Sequence, residues 1–196
     1  MMTYGTLEEY LKDHKADRAP AILPVPTVAD YLEITTTATR NRIKAETLDG
    51  VVIGDSTYVT VRSLSDEADR INSDKKIIAK MLLDAAERDD VVYYGTLLKS
   101  INRTHSNAGD RNYIGRLLGI LSRESAEQIE CLLSVFAVSK TTGKPNEGFW
   151  NLVAELNDEF DWKLDLTEQE TLITELREEV SNDSTILALR NYFQAI

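Results

Sequence analysis

Residues 27–61 read TVADYLEITTTATRNRIKAETLDGVVIGDSTYVTV, and the order of their patterns decides the fold. Thr27 is placed to cap a short helix over Val28–Leu32, which Glu33-Ile34-Thr35 interrupts. A second helix runs from about Thr36 to Glu46. Two β-branched runs then flank Gly54-Asp55-Ser56, the pattern of a tight hairpin. Helix, short turn, helix and hairpin is the order of a winged helix-turn-helix unit, whose second helix enters the major groove of DNA while the hairpin touches the backbone. In that second helix Ile43 and Ala38 face inward with Val28, Tyr31, Leu32 and Ile34. Thr36, Thr37, Arg40, Asn41 and Lys44 then point outward, with Arg42 at the boundary. Arg reads the guanine edge, Asn reads adenine, and Thr hydroxyls suit phosphates. Tyr58 and Arg62 are expected as wing contacts.

The chain around this stretch has 196 residues, 42% of them hydrophobic and 28% charged, which is enough apolar material for a real core. Nine Gly and four Pro favour long regular elements over a turn-rich sandwich. The expected class is mainly α with small β-hairpins, an α+β protein of tandem winged helix or helix-turn-helix units with an acidic helical C-terminal tail. The expected divisions are 1–64, 65–150 and 151–196. No apolar run approaches the ~20 residues of a membrane span, and MMTYGTLEEY lacks the basic start of a signal peptide. With Cys131 the single cysteine, these features lead to an expected cytoplasmic location and no membrane partner.

The formal net charge of −11 opposes phosphate, but its placement matters more than its sum. Residues 151–196 hold eleven acids against Lys163, Arg177 and Arg190. Residues 91–120 hold Lys99, Arg103, Arg111 and Arg116 against Asp110 alone. The segment 35–46 carries three bases and one acid, Glu46.

Outside 27–61, a helix is expected over Thr6–His14 with Leu7 and Leu11 on one face, then a loop through 18–26. Helices follow at 65–71 and 74–88, with a short strand at 91–94. Thr96 is expected to cap a helix to Ile101. A helix then runs 110–122, a buried strand 132–139, and a turn through 141–145 leads to Phe149-Trp150. Three tail helices complete the chain, at 149–160, 167–180 and 184–193. The second winged-helix-like unit, 65–150, offers Lys99, Arg103, Arg111, Asn112 and Arg116 as contacts, with Lys140 and Lys144 on its wing. Gly115 and Gly119 inside one helix cost about 1 kcal/mol each against Ala, which points to close packing by a neighbouring backbone. Tyr4-Gly5-Thr6-Leu7 recurs as Tyr94-Gly95-Thr96-Leu97.

As VPTVADYLEITTTATRNRIKAETLDGVVIGDSTYVTV stands, it resembles the small DNA-binding domains of phage excisionases and the MerR-like group over about 40 residues. The run from YYGTLLKSIN to GKPNEGFW resembles a winged-helix-type segment of uncharacterised bacterial and phage proteins. The resemblance implies duplex DNA as partner and a regulatory or architectural role in a phage or mobile element. The second stretch is also similar to the alkyltransferase-like DNA-repair fold, but the Pro-Cys-His-Arg pocket of that family is missing around Cys131.

No enzyme is expected. His14 and His105 are the two histidines, no Cys/His set has metal spacing, and neither GxGxxG nor GxxxxGK[ST] occurs. No cofactor and no metal is expected. A reading of a different class is a protein-binding adaptor or inhibitor, whose acidic tail imitates DNA for a basic protein partner; a homodimer is compatible with both.

Overall fold

The computed structural model describes residues 1–156 and 166–195. The last residues of the helix expected over 149–160, and residue 196, lie outside them. The described chain is mainly helical with two small sheets, an α+β protein. Among the described residues no helix is long and apolar enough to cross a membrane. Internal contacts divide the chain into Met1–Ile71 and Asn72–Ile196, so 151–196 falls in the second unit and not in a unit of its own.

The first unit contains a helix for each of the two expected over 28–46, and the hairpin after them. Strand β1 (Met2–Tyr4) leads into α1 (Leu7–Lys15), capped by Thr6 and Glu9 in a reciprocal capping box. Strand β2 (Ile22–Pro24) runs into α2 (Val25–Tyr31), where Pro26 occupies the first turn and needs no donor. Helix α3 (Thr36–Lys44) follows, then β3 (Gly50–Ile53) and β4 (Ser56–Thr60). The loop expected over 18–26 thus holds a strand and a helix start, because prolines sit at positions that tolerate a missing N–H.

Alternation along the strands gives the sheet two buried faces. Val51 and Ile53 meet Tyr10 of α1 and Ala19 on one side. Val59 meets Val25 and Val28 of α2, Leu32 that follows it, Ile43 of α3 and Leu48 on the other. The sheet order is β1-β3-β4-β2, with β1 parallel to β3 and the other pairs antiparallel. The hairpin turns at Gly54, whose φ of +56° is the left-handed geometry a two-residue turn takes at its first central position. Yet β3 and β4 are the interior strands, so the hairpin is the middle of a sheet and not a projecting wing. Leu7 and Leu11, expected on one face, are both exposed, and Tyr10 is the buried residue of α1.

The second unit is helical. Helix α4 (Val61–Ala86) is continuous where two helices were expected, and residues 72–86 belong to this unit. Its buried side includes Asp74 and Lys75 beside Ile78, Leu82 and Leu83. Asp74 accepts from the Tyr113 hydroxyl at 2.6 Å and Lys75 donates to Glu124 at 2.5 Å, which is how two charges sit within the apolar stripe. Strand β5 (Val92–Tyr93) precedes α5 (Tyr94–Ser100), and α6 (Ala108–Ile129) follows with Asn107 as its N-cap. Gly95 and Thr96 therefore lie inside α5 and do not form its cap.

The buried strand expected over 132–139 is a 3-10 turn (Leu133–Phe136) and a two-residue strand β6 (Ala137–Val138), parallel to β5. Side chains of α6 satisfy this backbone in place of a sheet. Ser125 Oγ donates to Cys131 O at 2.8 Å and accepts from Leu133 N, while Ser122 Oγ accepts from Ser134 N at 3.1 Å. The stretch after it turns into α7 (Glu147–Leu156), so the wing hairpin expected for this unit is absent among the described residues. Helices α8 (Leu166–Val180) and α9 (Asp183–Ala195) bury Ile173, Val180, Ile186, Leu189 and Phe193. The acidic tail is thus part of a core.

Candidate nucleic-acid interface

Helix α3 is fixed at three points. Thr35 caps it, its side chain accepting from Ala38 N at 3.0 Å. Thr39 is fully buried and donates to Thr35 O at 3.2 Å. Ile43 seats the last turn, so close to β3 that a Cβ on Gly50 would stand 2.5 Å from its Cγ2. The turn before α3 closes α2 with Glu33 in the left-handed region at φ 51°, its N–H donating to Asp30 O and that of Ile34 to Ala29 O, a Schellman closure.

With Thr39 and Ile43 inward, the 3.6-residue period puts Thr37, Arg40, Asn41 and Lys44 outward, and all four are exposed. Thr36 and Ala38 are half-buried. Among the described residues none of those four outward side chains has a hydrogen bond or ion pair. Arg42 differs: it donates to Glu67 at 2.7 Å, and the same buried carboxylate receives Arg70 at 2.5 Å. It is a brace between α3 and α4.

Tyr58 does not serve as a wing contact. It lies on interior strand β4, half-buried against the Tyr10–Val51–Ile53 cluster. Arg62 is exposed but belongs to the first turn of α4.

In the second unit much of the expected basic set is engaged. Arg103 pairs with Asp110 at 2.8 Å and lies 3.7 Å above the Tyr113 ring. That guanidinium, after the Thr104 N–H, holds the Asp110 carboxyl below its usual range. Arg116 stands over the same ring at 5.5 Å, and Arg111 donates to His105 O at 2.8 Å. Lys144 pairs with Glu170 at 2.7 Å. Lys99, Asn112 and Lys140 are exposed. Without the expected hairpin, Lys140 and Lys144 sit in a loop closed by Gly143 N donating to Ser139 O, not on a wing.

Burial pushes the Cys131 thiol up to about 11, far from a thiolate nucleophile. Among the described residues no group of three His, Cys, Asp or Glu is arranged to hold a metal ion. Comparison with protein-family models, with curated proteins and with solved structures finds no match for this chain. Sequence reasoning missed Thr39 and Gly50, which set where α3 sits. A glycine at the start of a β-branched run was the signal for the second.

Proposed function

We propose that the protein is a DNA-binding regulatory or architectural protein, a binder and not an enzyme, acting in a reducing cytoplasmic compartment. Helix α3 is its reading element, lying in the major groove. One observation carries this. In a chain of net charge −11 several cations are already held by acids, as in Arg18–Asp13, Arg42–Glu67, Lys75–Glu124, Lys80–Asp84 and Arg190–Glu87. The outer face of α3 instead presents Arg40, Asn41 and Lys44 exposed and unengaged among the described residues. Arg40 and Lys44 are four apart and project together. Arg40 suits a guanine edge, and Lys44, nearer the helix end, a phosphate.

The test is a titration of the full chain with duplex DNA at two salt concentrations. Arg40→Ala should weaken the preferred site by about 1–3 kcal/mol and relax sequence preference. Lys44→Ala should weaken all duplexes alike and reduce the salt slope by about one. Neither should alter stability, since neither side chain has a partner to lose. Absence of duplex binding at low salt refutes the proposal.

A second reading, an adaptor for a basic protein partner, is favoured by α8, which exposes Glu175, Glu178 and Glu179 around Arg177. Deleting α8 and α9 would remove core residues such as Val180 and Leu189. The discriminating variant is therefore Glu175→Gln with Glu178→Gln and Glu179→Gln. It leaves DNA binding intact or strengthened on the first reading, and abolishes partner capture on the second.

A further inference from the structure

Gly115 and Gly119 lie one turn apart inside α6, and among the described residues the expected neighbouring backbone is not there. Among the described residues a Cβ built on Gly115 meets nothing within 4 Å, and one on Gly119 meets only Arg123 Nη1 at 3.4 Å. Two residues that weaken their helix are thus not explained by packing. Together with Gly148 of α7 they border a cleft of about 120 Å³ walled by Leu118, Phe149 and Leu152. A side chain at any of the three positions would take up part of that space.

The polar groups of the cleft point to what fits it. Ser134, at 5% exposure, accepts from the Ser122 hydroxyl at 2.6 Å. Tyr94 accepts from the Asn146 backbone N–H at 3.0 Å. Among the described residues neither hydroxyl has an acceptor for its own proton. Burial raises the Tyr94 phenol above its usual range, so it stays a donor at any physiological pH. Among the described residues the lining carries no charged side chain, so an ion would enter with nothing there to offset its desolvation. An apolar solute would leave both donors unmet.

We propose that this cleft binds a small uncharged carbonyl compound, such as an amide, whose oxygen accepts from Tyr94 while its apolar body rests on Leu118, Phe149 and Leu152. The site lies within the second unit and does not depend on the reading of α3.

The test is a titration of the ¹⁵N-labelled full chain with benzamide and with propionamide, and with toluene as a probe that has no acceptor. Saturable shifts are expected at the Gly115, Gly119, Asn146 and Gly148 amides with an amide probe, and little or none with toluene. Gly115→Leu, which grows into open space, should abolish them. Tyr94→Phe, which keeps the ring, should weaken binding by about 3- to 10-fold, the scale of one hydrogen bond. Gly115→Ala is the folding control, and its melting temperature should rise. No saturable shift with either amide at tens of millimolar overturns the proposal. Equal shifts with toluene, or equal affinity in Tyr94→Phe, also overturn it.

Discussion

Replacing Gly50 by Ala tests whether α3 is seated by direct contact with the sheet. The added Cβ would stand 2.5 Å from Ile43 Cγ2, 3.4 Å from Met1 Sδ and 3.5 Å from Tyr58 O. Carbon atoms prefer about 3.5–4.0 Å, so the overlap with Ile43 is about 1 Å. The methyl has little room to withdraw, because Gly50 is held in register opposite Val59 and the Tyr58 carbonyl lies beside it. Ile43 must move instead, and it is 7% exposed, in a cluster with Val28, Leu32 and Leu48. Overpacking of this kind costs about 1–3 kcal/mol. In a unit of this size each kcal/mol lowers the melting temperature by about 4–8 °C. A double-mutant cycle makes the test specific. Ile43→Ala alone should cost about 2–5 kcal/mol by opening a cavity, and it removes the atom that clashes. In the double variant the alanine at 50 enters the vacated space, so the total should fall short of the sum by about 1 kcal/mol or more. Urea melts of the four proteins measure it. Additivity within about 0.5 kcal/mol would show that Gly50 and Ile43 do not touch, and the seating argument would fail.

Three further outcomes follow from the same coordinates. Glu33 holds a left-handed φ of 51°, so Glu33→Gly should raise the urea midpoint by the equivalent of about 1 kcal/mol; a lower midpoint would mean that Glu33 makes a stabilising contact. Asp110, held below its usual range by Thr104 N–H and Arg103, adds stability that is fully present above about pH 4 and lost as pH falls through its depressed folded value. Stability measured from pH 5 to pH 2 should fall less steeply in Asp110→Asn, and an unchanged slope would count against this. With its thiol raised to about 11 and 2% exposed, Cys131 should react with iodoacetamide at pH 8 only in denaturing urea, so rapid labelling of the native chain would contradict its burial.

Helices α2 and α3 and the hairpin after them were legible because their signals are local, apolar periodicity and a β-branched pair around Gly54, but α2 starts at Val25 and holds Thr27, the expected cap, within it. Helix ends were harder. Asp17, Glu33, Glu46, Asp89, Asn102 and Glu130 take positive φ at the ends of the first six helices. Glycine usually marks that position, and a chain with nine glycines places acids or an amide there instead. The β1–β3 pairing joins Met2 to Val51, and a three-residue strand leaves no pattern of its own. The segment 132–138 misled for a different reason. An apolar run shows burial but not backbone partner, and here Ser122 and Ser125, on a preceding helix, supply that partner.

Reading the site depended on a distinction that composition does not contain. Sequence counts bases, whereas DNA meets only those that no carboxylate of the same chain already holds. In α3 the count and the geometry agree at Arg40 and Lys44, because both are exposed and unpaired among the described residues. They diverge at Arg42, two residues away, because its partner Glu67 is 25 positions on in another helix. Arg103 and Lys144 diverge in the same way through Asp110 and Glu170. A cation already paired at 2.7–2.8 Å must give up that bond before it can neutralise a phosphate, so its net contribution to affinity is small. On the proposal that α3 reads DNA, the salt dependence of binding should therefore report the unpaired residues of α3 and be insensitive to Arg42. A Lys44→Ala change that lowers the slope by about one, beside an Arg42→Gln change that leaves the slope alone and lowers stability, would separate the two roles in one pair of titrations. If Arg42→Gln reduces the slope as much as Lys44→Ala does, the Glu67 brace opens on binding and the contact face of α3 is wider than its free side chains indicate.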